Sequence, residues 1–267
     1  FRHREIATVV DEIEQLYCSG HRAFSFFDQT ITSIPKRITE LCEELLRRNI
    51  RIRWCCDSRV TTGRDILRLM ADAGCYSVSY GVESGSAKVL EAIRKNIRPE
   101  RVPEFARECS EAGIRSAGLF MYSLPDETME DVRMTIGLMQ QVLRHSESVA
   151  CNITQIYAGT ELDHIARERG VLPRDFSWNS PYRSETSARL GVSPEIPVYI
   201  ELLTMQEIEM LRAELGTYWL VNDVDFSLAK VARTFLRELG KNPLDTEFLR
   251  KVLRSGTIIV KHLLRKG

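Results

Sequence analysis

The sequence predicts an α/β fold: a parallel sheet wrapped by helices and closed as a TIM-like (β/α) barrel that lacks its first strand. Three observations carry this. Short apolar strands alternate with helical stripes from Ile6 to about Ile156, polar residues crowd directly after each of five strands, and the strand rhythm stops near Gly170. Right-handed crossovers leave a barrel or a doubly wound sheet as the candidates. A doubly wound sheet gathers its polar residues at one switch point. Five clusters, one per strand, suit the ring of loops at the carboxyl ends of barrel strands.

The elements follow in order. Ile6, Val9, Val10, Ile13 and Leu16 recur at helical spacing until Ser19-Gly20. Ala23 to Phe27 is a short aromatic strand. Ile38, Leu41, Cys42, Leu45 and Leu46 form a second helical stripe, and Ile50 to Cys55 alternates like a strand. Ile66, Leu67 and Met70 make a third helix that Gly74 stops, before a strand from Tyr76 to Val82. Helices near Ala87 to Ile93 and Val102 to Ala112, a strand at Ile114 to Met121, a helix from Met129 to Leu143 and a strand at Val149 to Ile156 complete the alternation. Past Gly170, Pro181, Pro194 and Pro197 punctuate loops; Met205 to Leu220, Leu228 to Leu239 and Thr246 to Leu264 then read as helices. The chain therefore divides into a barrel core at 1–172 and a mainly helical region at 173–267.

Composition narrows the function classes. The 267 residues carry 37 Lys+Arg against 37 Asp+Glu, a formal net charge of +0, which disfavours nucleic acid gripped by its backbone. No apolar run reaches membrane-spanning length. Seven scattered cysteines, an odd number without Cys-x-x-Cys spacing, indicate reduced thiols and a cytoplasmic setting. The chain opens on Phe1 with no secretory signal, so it reads as part of a longer protein.

After the strands stand Asp28-Gln29-Thr30, Cys56-Asp57-Ser58-Arg59, Gly81-Val82-Glu83-Ser84-Gly85-Ser86, Ser123-Leu124-Pro125-Asp126-Glu127-Thr128 and Tyr157-Ala158-Gly159-Thr160-Glu161. Carboxylates, hydroxyls, a guanidinium and glycine-exposed backbone make a set able to hold a ligand with amine, carboxylate and diol groups. Each piece also has a plainer reading. Asp28, Asp57, Asp126 and Thr160 suit helix N-caps, Glu127 and Thr128 suit a first helical turn, and Gly85 and Gly159 suit turns. Glu83 is the strongest functional candidate, an acid directly after an apolar strand. The five histidines lack metal-ligand spacing and read as surface residues.

In this order, these motifs resemble the radical S-adenosylmethionine enzymes, specifically the branch with an upstream cobalamin-binding domain. Val10-Asp11-Glu12-Ile13-Glu14 and Phe27 to Thr32 are similar to that branch's Val-Asp-Glu-Ile-Glu helix and Asp-Asp-Thr-Phe-Thr strand end. Ile52 to Cys55 with Arg59, Met70 to Cys75, Gly81 to Ser86, Glu111 to Ile114, Leu124 to Thr128 and Tyr157 to Leu162 follow in register, so the likeness covers about Ile6 to Leu172. The resemblance implies that Asp28, Gln29 and Thr30 meet the methionine amino group. Arg59 and Glu83 would hold the methionyl and ribose parts, with Ser84 assisting. Backbone at Leu124 and around Tyr157 and Ala158 would border the adenine.

The same resemblance implies a 4Fe–4S cluster whose Cys-x-x-x-Cys-x-x-Cys ligands lie before Phe1, because none of the seven cysteines has that spacing. It further implies reductive cleavage of S-adenosylmethionine to a 5′-deoxyadenosyl radical, with cobalamin bound by an upstream domain, in a methyltransferase or cyclase-like reaction. The implied partners are a lipid-like or tetrapyrrole-like small substrate and a flavodoxin or ferredoxin as electron donor. Gln29 stands where a second acid is common, and Asp126 where a glycine is. Two other function classes remain: a barrel that binds S-adenosylmethionine or a partner without a cluster, and a divalent-metal acid/base enzyme using Asp28 and Glu83.

Overall fold

The computed structural model describes residues 3–28 and 30–222, with side chains of the last helix described as far as Leu215. The chain divides into two compact units between Thr154 and Gln155.

The first unit runs α1 (Ile6–Cys18), β1 (Ala23–Phe26), α2 (Pro35–Arg47), β2 (Arg53–Asp57), α3 (Arg64–Asp72), β3 (Cys75–Glu83), α4 (Ala87–Ala92), α5 (Arg101–Glu111), β4 (Arg115–Tyr122), α6 (Met129–Val142) and β5 (Ser148–Ile153). All four strand pairings are parallel, and the order is β1-β2-β3-β4-β5. Every strand lies beside its sequence neighbour, with no point at which the order reverses. That is the arrangement of a barrel wall rather than of a doubly wound sheet.

Alternation along the strands assigns the two faces. In β3, Val78, Tyr80 and Val82 are buried, while Ser77, Ser79 and Gly81 between them are half-buried; β4 buries Ser116, Gly118, Phe120 and Tyr122 and leaves Ala117, Leu119 and Met121 accessible. The buried residues form the core with Trp54, Ile38, Leu41, Leu45, Leu67, Met70, Phe105 and Met139 from β2 and the helices. Tyr80 meets Phe105 edge-on at 5.0 Å, and its hydroxyl pairs with Ser146 Oγ at 2.8 Å. Trp54 donates its indole N–H to the Ala73 carbonyl at 2.8 Å. Next to it, Gly74 takes φ +94°, and a Cβ there would lie 2.0 Å from the Ile52 carbonyl oxygen. Only glycine joins α3 to β3 in this way.

Three boundaries differ from the sequence reading. The second strand begins at Arg53 rather than Ile50, because the Ile50 N–H still closes α2 on the Leu45 carbonyl at 3.0 Å. Asp28 and Asp57 do not cap the helices that follow: α2 starts at Pro35 after Ile34, and α3 follows Gly63. The last strand ends at Ile153, and Gln155 instead makes an antiparallel bridge to Val198.

The second unit contains α7 (Glu161–Glu168), α8 (Glu185–Arg189) and α9 (Met205–Asn222). Its core gathers Ile156, Ala166, Leu172, Phe176 and Tyr199, with Trp178 and Tyr182 edge-on to Phe176 at 4.8 and 4.7 Å. Thr160 does cap its helix, accepting the Asp163 N–H at 3.2 Å. The short α8, capped by Ser184, lies where only loop was read. The helices expected at Leu228 to Leu239 and Thr246 to Leu264 fall outside the described residues. No described helix is long and apolar enough to cross a membrane.

Candidate functional site

The polar residues read after the strands of the first unit sit at the carboxyl end of its sheet. After β1, Asp28 is exposed on a bend, Gln29 lies outside the described residues, and Thr30 is extended and leads into a single 3₁₀ turn at Ile31–Ser33. In that turn Thr32 is buried, and its hydroxyl accepts the Arg59 N–H at 2.8 Å. A hydroxyl chain runs from Thr32 to Ser58 to Thr62 with steps of 3.2 Å. The Arg59 backbone is therefore fixed between two loops while its side chain remains exposed.

At the end of β3 the backbone turns left-handed at Glu83, φ +70°. The carboxylate of Glu83 receives the Lys95 ammonium at 2.8 Å. Gly81 makes room for both: a Cβ there would lie 2.5 Å from Glu83 Oε1 and 2.9 Å from Lys95 Nζ. Lys95 was not singled out from the sequence. Its signal was a cation three residues past a six-residue helix, which returns the chain to the end of β3.

Ser84 sits differently from its neighbour. It is fully buried, its hydroxyl pairs with Thr135 at 3.2 Å and accepts the Ser86 N–H at 3.1 Å. Gly85 presses on α6 so closely that a Cβ would meet the Met134 carbonyl oxygen at 2.6 Å. Its role is close packing, not only a turn.

After β4, Ser123 and Asp126 both adopt left-handed backbone, φ +64° and +60°. Asp126 is thus no N-cap; Thr128 caps α6, in a capping box with Asp131. Asp131 also accepts from Ser86 Oγ at 2.6 Å and Lys88 Nζ at 2.9 Å, so one carboxylate joins the β3 and β4 loops. Burial works against its charge, but hydrogen bonds from Ser86, Thr128 and Lys88 outweigh it and hold the group below the usual carboxylate range.

Glu127 precedes the helix instead of lying in its first turn. Its side chain folds back to accept the Leu124 N–H at 3.1 Å, and its other oxygen, Oε1, is buried with no hydrogen-bond partner among the described residues. Burial pushes its carboxyl up to about 7 against the pull of the Leu124 and Ser123 N–H groups. Burial also raises the Cys151 thiol, and the nearby Glu127 and Glu83 carboxylates add to that effect. Glu83, Lys95, Glu127 and the Leu124 backbone therefore share one end of β3 to β5.

Tyr157 and Ala158 are exposed and belong to the second unit, where the Tyr157 carbonyl accepts the Thr160 hydroxyl at 2.7 Å. Among the described residues no three His, Cys, Asp or Glu side chains are arranged to hold a metal ion, Asp28 and Glu83 included. Cys42, Cys56, Cys75 and Cys109 are buried, and burial raises the thiols of Cys42 and Cys109 to about 12. His3, His21, His145 and His164 are exposed.

Comparison with known proteins places the chain's fold and family. An uncharacterized methyltransferase of Pyrococcus horikoshii is 29% identical over 174 residues, 64% of this chain and 38% of that protein. The anaerobic magnesium-protoporphyrin IX monomethyl ester cyclase of Rubrivivax gelatinosus is 32% identical over 142 residues, 51% of this chain and 25% of its own length. The chain thus spans about a quarter to two fifths of these curated relatives. Among solved structures, the apo form of the cobalamin-dependent S-adenosylmethionine radical enzyme OxsB superposes with a TM-score of 0.62 at 13% identity, over 97% of this chain and 42% of its own. The radical S-adenosylmethionine methyltransferase TsrM from Kitasatospora setae, solved with cobalamin and a [4Fe-4S] cluster, gives 0.58 at 22% identity over 62% and 34%. At these identities the likeness is one of fold. Residues 1–139, just over half of the sequence, match the profile of the Radical SAM superfamily, and the chain belongs to that superfamily.

Proposed function

We propose that this chain is the S-adenosylmethionine-holding part of an enzyme that cleaves S-adenosylmethionine reductively to a 5′-deoxyadenosyl radical and uses it, with cobalamin, in a methyl transfer or cyclisation. The observation that carries the reading is the Glu83–Lys95 pair at the end of β3, in a chain whose residues 1–139 match the superfamily.

The residues present fit the ligand's polar groups. The Glu83 carboxylate suits a ribose diol, and the Lys95 ammonium beside it suits the methionine carboxylate. The exposed Arg59 side chain, on a backbone pinned by Thr32, supplies a second cation. Asp28, Gln29 and Thr30 would meet the amino group, and the Leu124 backbone, held by Glu127, would border the adenine. Ser84 would serve by fixing the loop against Thr135. An iron–sulfur cluster finds no ligand set among the described residues.

A tetrapyrrole-like small substrate is the class the relatives support, one of them being a magnesium-protoporphyrin IX monomethyl ester cyclase, and a lipid-like substrate is the alternative. A flavodoxin or ferredoxin would supply the electron, and the scattered thiols suit the cytoplasm.

Calorimetric titration of the 267-residue chain with S-adenosylmethionine tests the binding. Saturable binding that weakens at least about tenfold in Glu83→Gln is the expected result. No binding by the wild type, or equal binding by both, overturns it.

A further inference from the structure

The first unit also carries a cation-lined cavity that meets the reading above only at Lys95. It measures about 780 Å³, within the usual range for small-molecule sites, and lies between the β2–α3 loop and the segment joining α4 to α5. Thr61, Arg94, Lys95, Asn96, Arg98 and Arg101 line it, and Glu91 is its single acidic lining residue.

The cations come from eight consecutive residues, and the backbone between them is fixed. Arg94 takes left-handed backbone at φ +54°, the Lys95 N–H closes on the Leu90 carbonyl at 2.8 Å, and the Ile97 N–H on the Lys95 carbonyl at 2.7 Å. The Arg101 N–H then bonds the Arg98 carbonyl at 3.0 Å. Lys95 is engaged by Glu83 and Arg101 by Glu108 at 2.5 Å. Arg98 differs: its side chain is exposed and has no carboxylate partner among the described residues.

We infer that this cavity is an anion subsite, with Arg98 as its uncommitted guanidinium, that takes a small molecule bearing two phosphate or carboxylate groups. A guanidinium fork reads such groups bidentately, and a fixed loop spares the entropy of gathering several cations around one ligand. The cavity is a partly open cleft of small-molecule size, which suits a compact polyanion better than the broad face of an acidic protein. The cavity shares Lys95 with the Glu83 end, but Arg98 carries the inference, so Arg98→Glu tests it separately from Glu83→Gln.

The test is calorimetric titration of the 267-residue chain with inorganic pyrophosphate and, separately, with succinate at fixed ionic strength. Saturable one-to-one binding of either is expected, and which one binds identifies the class. Arg98→Glu should weaken it at least about tenfold, and Arg98→Ala less. Arg68→Glu changes the net charge equally on an exposed face of α3 and should leave binding within about twofold. Circular dichroism of each variant confirms that it is folded. The inference is overturned if neither anion saturates, if Arg98→Glu binds like wild type, or if Arg68→Glu weakens binding as much. It is equally overturned if only an acidic flavodoxin binds through Arg98 while both small anions fail.

Discussion

The Glu83 carboxylate and the Lys95 ammonium meet at 2.8 Å in the space that Gly81 leaves empty. Strand, turn and short helix serve to bring these two groups together, and the missing side chain at Gly81 is what lets them stay.

Gly81→Ala tests that dependence. The new Cβ would stand inside contact distance of both charged ends, which are flexible and can swing away. Stability should change by less than about 1 kcal/mol, while affinity for S-adenosylmethionine falls about tenfold. A thermal melt and a calorimetric titration on the same preparation separate the two effects. Unchanged affinity would show that the pair is not part of the binding site.

Glu127 gives a pH dependence with a defined sign. Its folded value, about 7, lies above its ordinary 4.5, so the folded state holds a proton that the unfolded state has released. Stability is greatest below the lower value and falls as pH rises through the higher one, by on the order of 3 kcal/mol from this group. Glu127→Gln keeps a neutral side chain, so its melting temperature should stay flatter between about pH 5 and 8. Parallel pH profiles for wild type and variant would contradict this.

Asp131 acts in the opposite direction and through more partners. Its contribution is present above the ordinary carboxylate range and is lost as pH falls through its lowered value. Because it caps α6 and also holds Ser86 and Lys88, Asp131→Asn should cost about 2–4 kcal/mol and lower the melting temperature by roughly 5–15 °C. A loss near that of a simple cap, about 1 kcal/mol, would mean the two loops hold without it.

Two glycines that look alike in sequence should separate on substitution. At Gly85 a Cβ meets α6 backbone, which cannot move aside, so Gly85→Ala should cost about 2 kcal/mol or more. Gly159 has open space around it and φ +70°, so its alanine variant pays only for the left-handed backbone, about 1 kcal/mol. Chemical denaturation of both variants gives the comparison.

The strands and helices of the first unit were legible because their apolar residues repeat with period 2 or 3.6, and that signal is local. Glu83 was legible for the same reason, as a charge at the end of an apolar run. Lys95 was not, since it meets Glu83 only when α4 folds it back. Glu127 illustrates the other limit: a first-turn acid and a buried clamp on the preceding loop look identical in sequence, and two left-handed residues, Ser123 and Asp126, decide between them. Ser84 looked like a ligand-facing hydroxyl, yet its contacts with Thr135 come from 51 residues away.

The strand order β1-β2-β3-β4-β5 bears on assembly as well as on architecture. Each of β2 to β5 docks on the strand made just before it. Each closure spans one helical crossover, or α4 and α5 together between β3 and β4, and loop-closure entropy grows only slowly with such lengths. The sheet can grow in the order in which a ribosome releases it, each helix covering the newest strand as it emerges.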